Sequence, residues 1–272
     1  MIRIILIFLV MLLPFSAYAQ ESDSAALKIY ISDTSYVYQD KSLLALKNLI
    51  LNDKPQEAVQ LAVQLKPKFK DNSDYYVLLY ELAIRENNFE AAKSAVQIFE
   101  KISNKGYETG LLWGDFYLNQ AMASQTEEWR EFYLKRAKIC YTSAMTLSPA
   151  RPEAVLAMVK YFIETKNYPD AFEKALEAKE LNINYPETYY YLGQIYLINK
   201  DYISSLNNFN IYIKKTPYRN YYVHYILGTL YDKLAESNKA REEYLKALEI
   251  NPDAQALAEF KLEHEEPKLE QL

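Results

Sequence analysis

Glycine, cysteine and histidine are scarce in this chain of 272 residues, and each shortage excludes a class of protein. Five glycines are too few for a glycine-rich all-β protein or for a series of phosphate-cradling loops. The single cysteine, Cys140, cannot form a disulfide within the chain, so no disulfide framework holds the fold. The two histidines, His224 and His264, have no further ligands at a metal-binding spacing. We therefore predict neither a metal site nor a cofactor.

Basic residues are not in excess, and the familiar catalytic motifs are absent. The chain has 31 Lys and Arg residues against 36 Asp and Glu residues, which gives a net charge of −5. A nucleic-acid-binding face needs clustered basic side chains to neutralise phosphates, so nucleic acid is not an expected partner. The sequence contains no nucleophile elbow, P-loop, H-E-x-x-H or C-x-x-C motif. We predict that the protein is not an enzyme.

The one long apolar run lies at the N-terminus and has the form of an export signal. Arg3 precedes an apolar stretch over residues 4–13, and an Ala-Tyr-Ala cleavage pattern ends at Ala19. We predict a signal peptide over residues 1–19, with an uncleaved N-terminal anchor as the alternative, and a leader over residues 20–39. No later stretch of sequence is apolar enough to cross a membrane, so cleavage would leave no integral membrane segment. With a single cysteine, we expect an exported protein, periplasmic or secreted, in a bacterial envelope.

Residues 40–252 repeat one helical-hairpin pattern six times. In the two clearest copies, corresponding residues lie 35 positions apart. One copy is formed by Tyr189, Leu192, Gly193, Tyr196, Ser205, Phe209, Tyr212 and Pro217, and the other by His224, Leu227, Gly228, Tyr231, Ala240, Tyr244, Ala247 and Pro252. The pattern resembles the tetratricopeptide repeat (TPR), which reads W-x2-L-G-x2-Y, then A-x3-F, then P. The predicted hairpins span approximately residues 40–70, 72–104, 107–149, 151–183, 186–217 and 220–252.

The third predicted hairpin is longer than the others. Roughly eleven extra residues lie within it, where Trp129, Tyr133 and Ala137 recur at helical spacing. We predict that its second helix extends backwards by about three turns and projects beyond its neighbours. Trp129 and Phe132 would then be anchors for self-association, which would make the protein a homo-oligomer. Residues 253–272 have an apolar stripe and a charged face, which predicts a C-terminal capping helix and tail.

The resemblance implies an all-α fold, a right-handed α-solenoid of about six helical hairpins with a C-terminal capping helix. In TPR proteins the first helix of each hairpin lines the concave face, and partners usually bind there. The corresponding residues in this chain are Asp115, Leu118, Leu156, Lys160, Ile163, Tyr190, Gln194, Leu197, Tyr222, Tyr225 and Thr229. The resemblance thus implies a non-enzymatic scaffold or adaptor of the bacterial cell envelope that binds a protein or peptide partner. The alternative is a ligand- or glycan-binding accessory subunit of an envelope transporter or cell-wall enzyme.

Overall fold

The structure, a computed structural model, describes residues 38–103, 106–216 and 219–254. These residues belong to one compact unit, Ile31–Leu272, and form twelve helices. In chain order the helices are α1 (Lys41–Leu51), α2 (Pro55–Phe69), α3 (Ser73–Arg85), α4 (Phe89–Ile102), α5 (Gly106–Ala123), α6 (Glu127–Leu147), α7 (Pro152–Glu164), α8 (Tyr168–Leu181), α9 (Pro186–Ile198), α10 (Tyr202–Lys215), α11 (Tyr221–Lys233) and α12 (Ser237–Ile250). The predicted signal peptide, most of the leader and the predicted capping helix lie outside the described residues.

The twelve helices pair as six hairpins, from α1 with α2 to α11 with α12, and each hairpin packs against the next. First helices of neighbouring hairpins also contact each other. Helix α1 contacts α3, and α7 contacts α9. The prediction of an all-α solenoid of about six hairpins is confirmed for the described part of the chain, which contains no strand. None of the helices described is both long and apolar enough to cross a membrane.

Five of the six hairpin turns use one backbone motif without glycine. The second residue after the first helix is left-handed at Asp53, Asn87, Lys166, Lys200 and Ala235, with φ between 54° and 61°. At each turn the next N–H donates to a carbonyl five residues earlier, which closes the end of the helix. Left-handed backbone costs a residue with a Cβ roughly 1–2 kcal/mol, so the packing of the hairpins must offset this local cost.

Small residues let the two helices of a hairpin approach closely. In the first helix of the fifth hairpin, a Cβ added at Gly193 would lie only 2.9 Å from the ring of Phe209. Gly228 faces Tyr244 in the same way in the sixth hairpin. The second helices each bury one small residue at the matching position, namely Ala58, Ala92, Ala137, Ala171, Ser205 and Ala240.

The third hairpin is lengthened in both of its helices. Ala137 lies ten residues after the start of α6, whereas Ala171 lies three residues after the start of α8. Helix α5 likewise continues nine residues past Gly114, whereas α9 continues five residues past Gly193. The expectation of about three extra turns in the second helix is therefore corrected, because about two turns are added to α6 and about one to α5. The two helices lengthen together because the added turns bury apolar side chains against each other, as fully buried Ala121 shows.

Candidate binding surface

One repeat position carries a series of polar side chains along the first helices. It follows the glycine position of the pattern by one residue, and we name it the inner column. The inner column consists of Lys47, Glu81, Asp115, Lys160, Gln194 and Thr229. The first five side chains are buried and Thr229 is half-buried. Buried polar groups need partners, so their contacts determine what this face of the solenoid can do.

Lys47 of α1 and Glu81 of α3 form a buried ion pair between the first two hairpins. The Lys47 ammonium donates to the two carboxylate oxygens of Glu81 at 2.7 and 2.6 Å. Burial lowers the pKa of Lys47, while the charge of Glu81 and the hydrogen bond to it act in the opposite direction. Breaking such a pair is strongly destabilising, although the intact pair contributes little net stability.

Asp115 of α5 and Lys160 of α7 repeat this arrangement between the third and fourth hairpins. The Lys160 Nζ lies 3.0 Å from both carboxylate oxygens. Tyr141 of α6 donates its hydroxyl to the same carboxylate at 2.5 Å, and burial raises the pKa of Tyr141, so the hydroxyl keeps its proton. Asn119 of α5 donates to the hydroxyl of Tyr80 in α3 at 3.2 Å. Polar contacts therefore connect four consecutive hairpins through their interior.

The first hairpin also contacts the sixth. Asn52, which follows α1, donates to the Arg219 carbonyl at 3.0 Å and accepts from the Tyr221 N–H at 3.1 Å. Tyr221 begins α11, so Asn52 satisfies one of the N–H groups that the start of a helix leaves unpaired. Lys47 also interacts electrostatically with Glu187 of α9. The inner sides of the first and the last two hairpins therefore meet.

This contact changes the interpretation of the eleven residues predicted to line a concave face. Six of them are buried in this structure and five are partly exposed, and partner binding through any of the eleven stays a prediction. The six buried residues are Asp115, Leu118, Leu156, Lys160, Ile163 and Gln194. The five partly exposed residues are Tyr190, Leu197, Tyr222, Tyr225 and Thr229.

Tyr190 of α9 and Tyr222 and Tyr225 of α11 form a partly exposed cluster, which we name the tyrosine surface. The rings of Tyr222 and Tyr225 are stacked, with centroids 6.0 Å apart. Tyr190 packs on Tyr212 at 5.3 Å, and Tyr225 packs on Tyr244 at 6.0 Å. Burial raises the pKa of Tyr190 to about 12 and also raises that of Tyr222, so both hydroxyls stay protonated in neutral solution. The surface therefore presents apolar rings in fixed positions, and the hydroxyl of Tyr190 is hydrogen-bonded to Gln194.

A second exposed feature is a groove of about 510 Å³ between α5 and α6. Its lining combines the aromatic rings of Trp113, Tyr117 and Phe132 with the basic side chains of Lys135 and Arg136. The Arg136 guanidinium lies 4.7 Å from the Phe132 ring centroid and 5.6 Å from that of Tyr117. The repeat pattern assigns Trp113 and Tyr117 packing roles only, so the sequence did not predict this groove.

Among the remaining candidate residues, Phe132 and Cys140 line this groove. Trp129 and Phe132, the predicted anchors of self-association, are 55% and 42% exposed, and association through them stays a prediction. His224 contacts the Glu243 carboxylate through Nδ1 at 2.7 Å, between the two helices of the sixth hairpin. Burial raises the pKa of the half-buried Cys140 thiol, which lowers its reactivity. In the part of the chain described, no three His, Cys, Asp or Glu side chains are grouped so as to hold a metal ion.

Comparison with known proteins finds solved structures with a similar fold but no matching protein family. No protein-family model matches this chain. Protein bimA of Emericella nidulans is 24% identical to it over 234 residues, which is 76% of this chain and 28% of bimA. The chain thus spans little more than a quarter of that relative's length. A chain in the crystal structure of the APC/C hetero-tetramer Cut9–Hcn1 is similar to this protein. The match covers 82% of this chain and 42% of the matched chain, with a TM-score of 0.54 and 14% identity.

A solved TPR protein covers the solenoid more evenly. The thermophilic TPR protein TTC0263 from Thermus thermophilus matches 76% of this chain and 97% of its own length, with a TM-score of 0.53 and 14% identity. At this level of identity the likeness concerns the fold alone. It agrees with the six packed hairpins and with their small and aromatic contact positions. The described part of the chain is therefore a TPR-like α-solenoid.

Proposed function

We propose that this protein is a non-enzymatic scaffold or adaptor that docks a protein or peptide partner through the tyrosine surface. The observation that carries the proposal is the partial exposure of Tyr190, Tyr222 and Tyr225 on two neighbouring first helices. Tyrosine side chains are rigid and amphipathic, so they lose little conformational entropy when a partner covers them. Packing on Tyr212 and Tyr244 already restricts these rings before any partner arrives.

The partner binds beside the inner column rather than within it. Asp115 and Lys160 saturate each other, so a charged peptide would have to break a buried ion pair to enter. The tyrosine surface instead fits an uncharged or weakly charged segment whose apolar side chains cover the rings. A terminal carboxylate is a poor fit, because Gln194 and Thr229 supply no cation at the neighbouring inner-column positions.

Two further observations support a docking role in the envelope. The N-terminal sequence has the charge, apolar run and cleavage pattern of an export signal, which favours a periplasmic or secreted protein of a bacterial envelope. The Cut9–Hcn1 structure is a complex of two different proteins, which is compatible with a solenoid of this kind acting as a platform.

Site-specific photocrosslinking tests this proposal. A benzoylphenylalanine placed at Tyr225 should form a discrete adduct in envelope extract, because the ring of Tyr225 would contact the partner directly. The same group at Tyr168, a partly exposed tyrosine at the start of α8, is the matched control and should form none. Adding Tyr222→Ala should abolish the adduct at position 225, whereas Tyr222→Phe keeps the ring and should retain most of it. Equal adducts at positions 225 and 168 would refute the assigned surface.

A second candidate function is the binding of a small anionic ligand or glycan in the groove between α5 and α6. The specific observation in its favour is the combination of stacked Trp113 and Tyr117 rings with Lys135 and Arg136. Such a ligand would stack on the rings and place its negative charge at the basic side chains. Thermal-shift screening of cell-wall fragments tests this candidate function. A fragment that binds in the groove should stabilise the fold by about 2.7 kcal/mol when it is present at about 100 times its dissociation constant. If no fragment shifts the melting temperature, or if Lys135→Ala leaves a shift unchanged, the groove is not a ligand site.

A further inference from the structure

The outer side of α6 changes charge along its length. Glu128 and Glu131 lie in its first turns, and Lys135 and Lys138 follow one to three turns later. All four side chains are exposed. Phe132 on the same side is 42% exposed. One helix face therefore presents an acidic part, an apolar centre and a basic part in that order.

Glu128, Phe132, Lys135 and Ile139 form one stripe along this face, apolar at two of its four positions. Positions 128, 132, 135 and 139 follow one another at intervals of four, three and four residues, the alternation seen along a two-helix seam. Ile139, at the fourth of these positions, is 60% exposed. Trp129 and Arg136 follow the seam on one flank. In the described residues this seam is not covered by another helix of the same chain.

The order of the charges makes the segment complementary to a reversed copy of itself. In an antiparallel pair of identical helices, the position numbers of facing residues have a constant sum. Glu128 with Lys138 and Glu131 with Lys135 give the same sum, so both pairs are centred on residue 133. A single two-fold axis therefore forms each Glu–Lys contact twice. Phe132 lies beside this axis, next to its own symmetry mate.

The added turns of the third hairpin make such an approach sterically open. The first seven residues of α6 extend past the level at which α8 begins, as the positions of Ala137 and Ala171 show. In an antiparallel pair the remaining parts of the two copies extend in opposite directions from the shared segment. Trp129 of one copy then comes close to Arg136 of the other, where a ring and a guanidinium attract each other.

We propose that two copies of this protein associate through an antiparallel pairing of residues 127–139 of α6. The seam lies on a second helix of the third hairpin, whereas the tyrosine surface lies on first helices of the fifth and sixth, so the pairing is independent of docking at the tyrosine surface. Phe132, Lys135 and Ile139 also line the groove between α5 and α6, so the pairing competes with a ligand there. The occupant is a second copy because the acidic and basic parts of this face are complementary to those of the same segment reversed.

Charge reversal tests the register directly. Sedimentation velocity on the full chain at low salt, over a concentration range, should show a monomer–dimer equilibrium. Glu128→Lys with Glu131→Lys should weaken dimerisation by at least about tenfold, because each of the repeated contacts becomes a repulsion. Lys135→Glu with Lys138→Glu should do the same. An equimolar mixture of the two double variants should dimerise again, since every cross-pair is then of opposite charge.

A matched control separates the seam from the general effect of charge. Glu173→Lys with Glu180→Lys makes the same change of net charge on exposed positions of α8 and should leave dimerisation unchanged. Circular dichroism checks that every variant stays helical, and recovery in the mixture shows independently that both double variants fold. A monomer at all concentrations overturns the proposal, as does a dimer insensitive to the α6 reversals. Failure of the mixture to recover overturns the antiparallel register and leaves an unrelated helix as the occupant of the seam.

Discussion

Replacing Asp115 with Asn removes a buried negative charge while keeping the size of the side chain. The Lys160 Nζ lies 3.0 Å from both carboxylate oxygens, and the Lys160 and Asp115 side chains are 0% and 4% exposed. At an effective dielectric constant of about 20, unit charges at such a separation attract by about 5 kcal/mol. Burying an ammonium without its carboxylate partner costs about 3–5 kcal/mol. We therefore expect Asp115→Asn to lower the free energy of unfolding by about 3–5 kcal/mol.

A double-mutant cycle separates the ion pair from the rest of the packing. Lys160→Met removes the ammonium and keeps an unbranched side chain, so it should also destabilise the fold strongly. The combination of both substitutions leaves no buried charge, and it should cost at least about 2 kcal/mol less than the sum of the single costs. Urea denaturation followed by far-UV circular dichroism measures all three variants. Lys239→Met is the control, because its ion pair with Glu236 is exposed to solvent and its loss should change stability little.

Two outcomes would refute this reasoning. A cost for Asp115→Asn below about 1 kcal/mol would mean that water or another group replaces the carboxylate easily, as at an exposed site. Additive costs for Asp115→Asn and Lys160→Met would mean that the two charges do not interact in the folded state. In either case the inner column would not be a closed interior, and a partner could enter it.

Three further predictions concern stability. Gly193→Ala should lower the unfolding free energy by about 1–3 kcal/mol, because its Cβ would lie against an aromatic ring, whereas Gly106→Ala, with its nearest side-chain atom 3.7 Å away, should change it little in the same urea titration. Ala235→Gly should stabilise by up to about 1 kcal/mol, since its φ of 61° is left-handed, and an unchanged or lower Tm would contradict this. Burial raises the pKa of Glu164 from 4.5 to about 7, so its contribution to stability is full below about pH 4.5 and is lost as pH rises through about 7. Glu164→Gln should therefore reduce the loss of stability between about pH 5 and about pH 8, and an identical pH profile in the variant would show that this carboxyl is solvated.

Much of the fold follows from residue types at repeat spacing. Gly193 and Phe209 occur where the pattern requires a small and a large residue, and the structure brings them into contact. The turns are less visible in the sequence, because Lys166 and Lys200 adopt a left-handed conformation that glycine usually signals. Their location is nevertheless periodic, since each follows the end of a first helix. The repeat register, rather than the residue type, is what predicts such a turn.

The burial of the inner column is less visible in the sequence, for a physical reason. Asp115 and Lys160 occupy positions that resemble partner-contacting positions of TPR proteins, and nothing local shows that each neutralises the other. A sequence signal for this ion pair does exist. Lys47 and Glu81 carry opposite charges at the same repeat position, 34 residues apart, and they also pair. How closely distant hairpins approach cannot be read from the sequence, because it depends on small rotations that accumulate from repeat to repeat.

Asn52 has a consequence for how the solenoid comes apart. A linear stack frays from two independent ends, since each terminal unit has one neighbour instead of two. In this chain the carboxamide of Asn52 joins the turn of the first hairpin to the backbone at Arg219 and Tyr221. Opening of the first hairpin at this turn therefore breaks two hydrogen bonds to the sixth hairpin. We therefore expect a truncation that removes the first hairpin to weaken the sixth, because the start of α11 loses this partner.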